Sequence, residues 1–146
     1  MMSRHWAVAI LILSAVACAT NSHVDPAADF DQADQAMSRL DTWHDLSTWQ
    51  KRFGRHDHGY IAEGISDFVV QKLAKDWGSL PELADQLERN PMLLPLVIRH
   101  IDATTSWDDL KQIVAFASAN HNARFQVLCE QIGTEATAAL RDAQAQ

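Results

Sequence analysis

Apolar residues recur every three or four positions along most of this chain, which is the spacing of one face of an α-helix. The pattern predicts up to seven helices. Three cover residues 26–40, 43–53 and 60–77, and a fourth, short helix begins near Pro81. A fifth ends near Ile101, a sixth begins after Ser106, and a seventh runs from Phe125 to Leu140. No segment alternates with period two for long, and no Asn-Gly or Asp-Gly hairpin turn is present. The sequence therefore predicts an all-α fold, a compact bundle or stacked helical hairpins of six to seven helices.

Residue types that cap helices stand where the predicted helices begin. They are Asp41 or Thr42, Asp57 or His58, Ser79 with Glu82, and Ser106 with Asp109. Gly54 and Gly78 follow two predicted helix ends, where glycine is favoured. Short connections between such helices favour antiparallel neighbours.

The first 18 residues form a separate segment. Arg4 precedes an apolar run from Trp6 to Val16, and this run of 11 residues is shorter than the ~20 that a spanning helix needs. The run ends in Ala15-Val16-Ala17-Cys18, which resembles the lipobox of bacterial lipoproteins, although that family prefers leucine where Ala15 stands. The resemblance implies cleavage before Cys18, acylation of this cysteine, and an exported protein that is anchored to a bacterial membrane without spanning it.

Two other interpretations of this signal stay open. An ordinary secretory signal cut after Ala17 leaves Cys18 as the new N-terminus, and a cut after Thr20 removes the cysteine. All three alternatives predict export, with the domain facing the periplasm or the exterior. The expected organisation is a signal peptide at 1–17, a lipid-anchored tether at 18–25 and a single helical domain at 26–146.

The charge of the chain excludes some classes of partner. The formal net charge is −7, and it becomes one unit more negative when residues 1–17, which carry Arg4 and no acid, are removed. Such an acidic chain is not expected to bind nucleic acid nonspecifically or to adhere electrostatically to anionic lipid. If Cys18 is acylated, Cys129 has no intramolecular partner for a disulfide, and its place on an apolar stripe favours a buried side chain over a catalytic thiol.

Residues 54–67 concentrate polar side chains. His56 and His58 in a loop, with Glu63 or Asp67 on the following helix, have the ligand types of a zinc site. The stronger helical zinc pattern, two histidines four positions apart beside a glutamate, is missing. The same residues also suit a helix cap and a first turn, so we predict no metal site and no cofactor.

Glu63 and Asp67 are one helical turn apart and repel each other on an exposed face. Gly64 between them costs about 1 kcal/mol relative to alanine, which suggests that a neighbouring helix packs closely there. Arg52 and Arg55 stand just upstream, and we expect them to form a buried or half-buried ionic cluster with the two acids. A glycosidase-like use of the paired carboxylates is the hydrolytic alternative.

Arg99 and His100 end the most apolar helix. A buried arginine there needs an acidic partner, and we expect one from the third helix. His100 is expected to cap helix carbonyls, and the sequence names no partner for a proton transfer through it. No nucleophile-elbow serine, P-loop, dinucleotide-binding glycine pattern or C-x-x-C motif is present, so no catalytic residue is predicted.

Four aromatic residues are candidates for contact with a partner protein, since tryptophan is enriched at binding hot spots. They are Trp43, Trp49, Phe53 and Trp107. The first three would form one exposed patch, because Trp49 lies off the main stripe of its helix.

The leading functional hypothesis is a non-enzymatic, exported and lipid-anchored helical protein that binds another protein of the cell envelope, as an adaptor, an inhibitor or an immunity-type protein. The alternative is a metal-binding or hydrolytic envelope protein that uses the His56–Asp67 segment. A third possibility is an acidic spacer with no stable partner.

Overall fold

The computed structural model describes residues 26–145, and all the regular structure in that range is helical. The seven α-helices are α1 (Pro26–Met37), α2 (Trp43–Phe53), α3 (Gly59–Lys75), α4 (Leu80–Arg89), α5 (Leu93–Arg99), α6 (Trp107–Ala119) and α7 (Gln126–Gln144). Single turns of 3-10 helix lie at Gly54–His56, Trp77–Ser79 and Ala123–Phe125. The predicted all-α bundle of six to seven helices is confirmed. The predicted signal peptide, Cys18 and the tether at 18–25 lie outside the described residues.

The helices pack in a simple order. α6 and α7 pack along each other as a hairpin, and α3 packs on α6 and on α1. α2 packs on α1 and α4, and the short α5 joins α4 to α7. One continuous apolar core results, to which every helix contributes.

Buried apolar side chains hold this core together. Trp43, Leu46, Ile61, Ile65 and Ile113 are fully buried in one cluster. Burial of each such side chain stabilises the fold by roughly 1.5–3 kcal/mol. Between residues 26 and 145 there is no disulfide, so packing must supply most of the stability.

Two of the predicted helix caps are confirmed. The Thr42 hydroxyl accepts from the Asp45 N–H at 3.1 Å, and the Asp45 carboxylate accepts from the Thr42 N–H at 2.9 Å. Ser106 caps α6 by accepting from the Asp109 N–H at 3.2 Å. Each cap satisfies a backbone donor that the first helical turn leaves unpaired.

The predicted capping box of Ser79 and Glu82 at α4 is wrong. The Ser79 hydroxyl accepts from the indole Nε1–H of Trp43 at 2.9 Å and donates to the Asp76 carbonyl at 2.7 Å. The Glu82 carboxylate accepts from the backbone N–H of His44 at 3.0 Å. Both side chains therefore join α4 to the start of α2 instead of capping α4.

The start of α3 also differs from the prediction. His58 occupies the N-cap position, but its side chain makes no capping hydrogen bond. The Asp57 carboxylate faces Arg99 and His100 instead. Gly59 has a φ of +56°, a conformation that favours glycine, and so allows the sharp turn into the helix.

Gly64, in the second turn of α3, lies at a close contact with α1. A Cβ atom at Gly64 would lie 2.3 Å from the sulfur of Met37, at the end of α1. The expectation that a neighbouring helix packs on this face of α3 is confirmed. α1 thus packs on α3 with the Met37 side chain over Gly64, and a larger residue at position 64 would require that side chain to move.

No helix between residues 26 and 145 combines the length and the apolar character that a membrane span requires.

Candidate functional site

A buried histidine, His100, lies at the C-terminal end of α5 and contacts polar side chains of two other segments. Its Nδ1 lies 2.7 Å from the hydroxyl of Ser66 on α3. Its Nε2 lies 3.0 and 3.1 Å from the two carboxylate oxygens of Asp57. Arg99 also donates to Asp57. The turn before α3 and α3 itself thus meet the end of α5, more than 30 positions later in the sequence, at one imidazole.

The hydrogen-bond pattern fixes the roles of the two ring nitrogens. An ionised carboxylate only accepts hydrogen bonds, so Nε2 carries a hydrogen and donates a hydrogen bond to Asp57. In the neutral ring Nδ1 is then an acceptor, and it accepts a hydrogen bond from the Ser66 hydroxyl. We call Asp57, His100 and Ser66 the acid–histidine–serine cluster.

The environment keeps Asp57 ionised. Burial raises the pKa of its carboxyl, but the hydrogen bonds from His100 and Arg99 and the positive charge of Arg99 outweigh burial, so the pKa lies below its usual value. The Asp57 side chain is almost completely buried, as is His100. A buried carboxylate so paired can orient an imidazole and stabilise its charged form.

An open pocket of about 540 Å³ lies against the cluster. Its lining comprises Asp57, Ala62, Glu63, Ser66, Asp67, Arg99, His100, Asp102 and Thr104. The half-buried Ser66 faces this space, while Glu63 and Asp67 are exposed beside it. The serine is therefore accessible from solvent through a pocket with an acidic rim.

The expected ionic cluster of Arg52, Arg55, Glu63 and Asp67 does not form. Arg52 donates to the side chain of Gln32 at 2.8 Å, and Arg55 pairs with Asp29 on α1. Glu63 and Asp67 make no ion pair with any described residue, and both line the pocket described above.

Arg99 and His100 also differ from expectation. The side chain of Arg99 is 61% exposed, and it pairs with Asp57 in the turn before α3 rather than with an acid on that helix. His100, predicted to cap carbonyls, is instead the centre of the cluster.

The two loop histidines contact α1. His56 hydrogen-bonds to Asp29, and its bond is the main reason why the pKa of that carboxyl is lowered. His58 stacks on Phe30 with 6.1 Å between ring centroids, and Tyr60 meets the same ring edge-on at 5.7 Å. Within residues 26–145, no group of three His, Cys, Asp or Glu side chains is arranged to hold a metal ion.

The tryptophan candidates separate by burial. Trp43, Trp49 and Phe53 are buried in the core, so the expected exposed patch around them is wrong. α1 covers Trp49, which the pattern of α2 alone leaves outside the stripe. Trp107, by contrast, is 41% exposed at the start of α6.

A larger groove of about 730 Å³ lies between α6 and α7. Its apolar lining comes from small side chains, among them Val114, Ala117 and Cys129, and Gly133 lets α7 approach α6. A Cβ at Gly133 would lie 3.1 Å from the Cβ of Ala117. Small residues at the crossing thus leave a depression on the surface of the hairpin.

Trp107 lies on α6 before the residues that line this groove. Val114 and Ser118, two and three helical turns further along α6, lie on the same helix face as Trp107 and line the groove. Lys111, one turn from Trp107, places its ammonium 6.0 Å from the ring centroid. We call the groove and Trp107 together the α6–α7 surface.

Cys129 agrees with its predicted role as a buried side chain. It is 3% exposed, and burial raises the pKa of its thiol. A thiol held protonated in this way is a poor nucleophile.

The sequence alone indicated neither the cluster nor its serine. His100 was visible as a polar residue at a helix end, but no spacing links positions 57, 66 and 100. Ser66 carries no local signal, because a serine within a helix more often has no special role.

No protein-family model matches the sequence, no curated protein matches it, and no solved structure matches the fold.

Proposed function

We propose that the chain is an exported, lipid-anchored helical protein that binds another protein of the cell envelope through the α6–α7 surface. The observation that carries this proposal is the exposed Trp107, on the same face of α6 as Val114 and two helical turns before it, where the groove between α6 and α7 begins. Tryptophan is enriched at binding hot spots, since its large ring buries much area on binding.

The shape and chemistry of the groove favour a helical segment of the partner. The lining alternates apolar atoms from Val114, Ala117 and Cys129 with hydrogen-bonding groups from Thr134 and Thr137. An amphipathic helix laid between α6 and α7 would meet both kinds of group.

Charge favours a basic partner. The whole chain carries a formal net charge of −7, and acids exceed Lys and Arg by 19 to 12. Such an excess attracts a cationic protein during diffusion and repels an acidic one.

The anchor would limit where the partner is met. The lipobox-like sequence at 15–18 supports acylation of Cys18, and eight residues, 18–25, separate the anchor from α1. Fully extended, eight residues span roughly 28 Å. The partner is therefore expected at the membrane surface or within about one domain diameter of it.

The test is native mass spectrometry of the full-length protein, extracted in mild detergent from the cells that make it. We expect residues 18–146 with acyl chains attached, in complex with a second polypeptide. Cys18→Ala should remove the acyl mass and release the protein from the membrane fraction, while the helical circular dichroism spectrum stays unchanged.

The surface is tested with Trp107→Ala and with Thr134→Arg, which places a large charge in the groove. Both should abolish the complex, whereas the matched control Tyr60→Ala, an exposed aromatic residue on α3, should retain it. Absence of any bound polypeptide would favour a spacer, and a complex insensitive to both groove variants would place the binding surface elsewhere.

A further inference from the structure

We propose that the acid–histidine–serine cluster is a hydrolytic site in which Ser66 attacks the carbonyl carbon of an ester. Within residues 26–145, Ser66 is the one serine whose hydroxyl hydrogen-bonds to a histidine ring nitrogen, at 2.7 Å. The same ring is oriented by a buried carboxylate at 3.0 Å. This order of hydroxyl, imidazole and carboxylate is what activation of a serine requires.

The choice of ring nitrogen does not prevent the chemistry. Here Nδ1 faces the serine and Nε2 faces the carboxylate. In neutral imidazole either nitrogen can be the base, provided that the other carries the proton. Asp57 holds that proton on Nε2, which leaves the lone pair of Nδ1 directed at Ser66.

The reaction has two steps that balance with one water molecule. In the first, the Ser66 oxygen bonds to the carbonyl carbon as its proton passes to Nδ1 of His100. The bond from that carbon to the alcohol oxygen breaks, and the alcohol takes the proton from Nδ1. In the second, water gives a proton to Nδ1 and its oxygen displaces Ser66, which regains the proton; the carboxylic acid leaves.

The pocket wall supplies a positive charge for the transition state. Arg99 lines the pocket, and its side chain is 61% exposed although it pairs with Asp57. A guanidinium in this position can stabilise the oxygen that becomes negative when Ser66 attacks.

The rim defines the class of ester. Glu63, Asp67 and Asp102 line the pocket, and neither Glu63 nor Asp67 forms an ion pair with a described residue. Their negative charge disfavours esters with carboxylate or phosphate groups near the reacting carbon. We therefore assign the site to neutral or cationic carboxylic esters.

The experiment uses a neutral biotinylated fluorophosphonate, which bonds to activated serines, on the folded full-length chain, with the labelled serine located by peptide mass spectrometry. We expect the label on Ser66 in the wild type and in the control Ser38→Ala, an exposed serine just after α1. Ser66→Ala should remove the label, and His100→Asn should slow labelling at least tenfold. No label on Ser66 above the level on Ser38 in the wild type would overturn the proposal.

A second measurement separates activation from a structural role. Asp57 acts as a positioning residue, so Asp57→Asn should slow Ser66 labelling at least tenfold, whereas Asp57→Glu, which keeps the carboxylate, should restore part of the rate. Equal labelling rates in folded Asp57→Asn and wild type would contradict this role. The wild type and Ser66→Ala should also differ in hydrolysis of p-nitrophenyl acetate, and equal rates would exclude turnover. Loss of this activity leaves the α6–α7 surface untouched, so the two proposals fail independently.

Discussion

The indole Nε1–H of Trp49 donates a hydrogen bond to the carbonyl oxygen of Ala33, 2.9 Å away inside the core. The bond joins α2 to α1 and places a polar atom of the indole where no water reaches it. Trp49 is only 2% exposed as a result. α1 is therefore an integral part of the fold and not a continuation of a tether.

Replacement of Trp49 by phenylalanine tests this bond. We expect Trp49→Phe to lower the free energy of unfolding by about 1–2 kcal/mol, since a hydrogen bond contributes about 1 kcal/mol and the smaller ring leaves some space. Urea denaturation followed by circular dichroism measures the change. The matched control is Trp77→Phe, on a half-buried ring that stacks on Phe116 at 5.6 Å. Equal losses in the two variants would show that the hydrogen bond contributes nothing.

The burial of the tryptophans predicts opposite effects of truncation. Trp43→Ala should destabilise the protein by about 3–5 kcal/mol, because Trp43 is fully buried and its indole donates to Ser79. Trp107→Ala should change the free energy of unfolding by no more than about 0.5 kcal/mol. Thermal and urea unfolding of both variants would measure this. A large loss of stability in Trp107→Ala would make this tryptophan a core residue and weaken its assignment to the α6–α7 surface.

The lowered pKa of Asp57 predicts that the folded protein loses stability in acid. Its pKa is lowered in the folded protein, so its contribution is complete above the unfolded value of about 3.9 and is lost as the pH falls through the lower folded value. Asp57→Asn should cost about 2 kcal/mol at pH 7, where its charge-assisted hydrogen bonds are lost. The stability of the variant should also decline less than that of the wild type between pH 5 and about pH 3.

Asp108 provides the control for this titration. Its pKa is also lowered, by a hydrogen bond from Lys111, but its side chain is 92% exposed. Asp108→Asn should follow the wild-type pH dependence closely, because exposed pairs contribute little. If Asp57→Asn kept the full acid dependence of the wild type, other carboxylates would have to account for it.

The burial of Cys129 predicts that its thiol reacts slowly with reagents in solution. In a Cys18→Ser chain it is the single thiol, and burial both shields it and raises its pKa. Reaction with a coloured disulfide reagent should be at least a hundredfold slower for the folded protein than in urea. A fast reaction of the native protein would show that the α6–α7 groove, which Cys129 lines, opens in solution.

Several local features could be read from the sequence because neighbouring residues alone produce them. The Thr42–Asp45 cap is an example, since both partners lie within one turn and no other element is needed. The helical pattern and the close packing at Gly64 are others, because periodicity and the cost of a glycine are properties of a single helix.

Other local features depended on which helices are in contact in the folded protein. Ser79 and Glu82 have the spacing of a capping box. In the structure, however, the Ser79 hydroxyl accepts from the Trp43 indole and the Glu82 carboxylate accepts from the His44 N–H. These contacts with α2 replace the local capping bonds. Trp49 was misplaced for the same reason, since only α1 covers it.

The sequence by itself determined the all-α class, the approximate helix boundaries and the burial of Cys129, since these follow from short-range spacing. Only the tertiary structure brought Asp57, Ser66 and His100 together and formed the groove between α6 and α7. These arrangements depend on how the loops place the helices and on which helices pack against each other. The free energies of such choices are sums over contacts between residues distant in sequence, which no local pattern records.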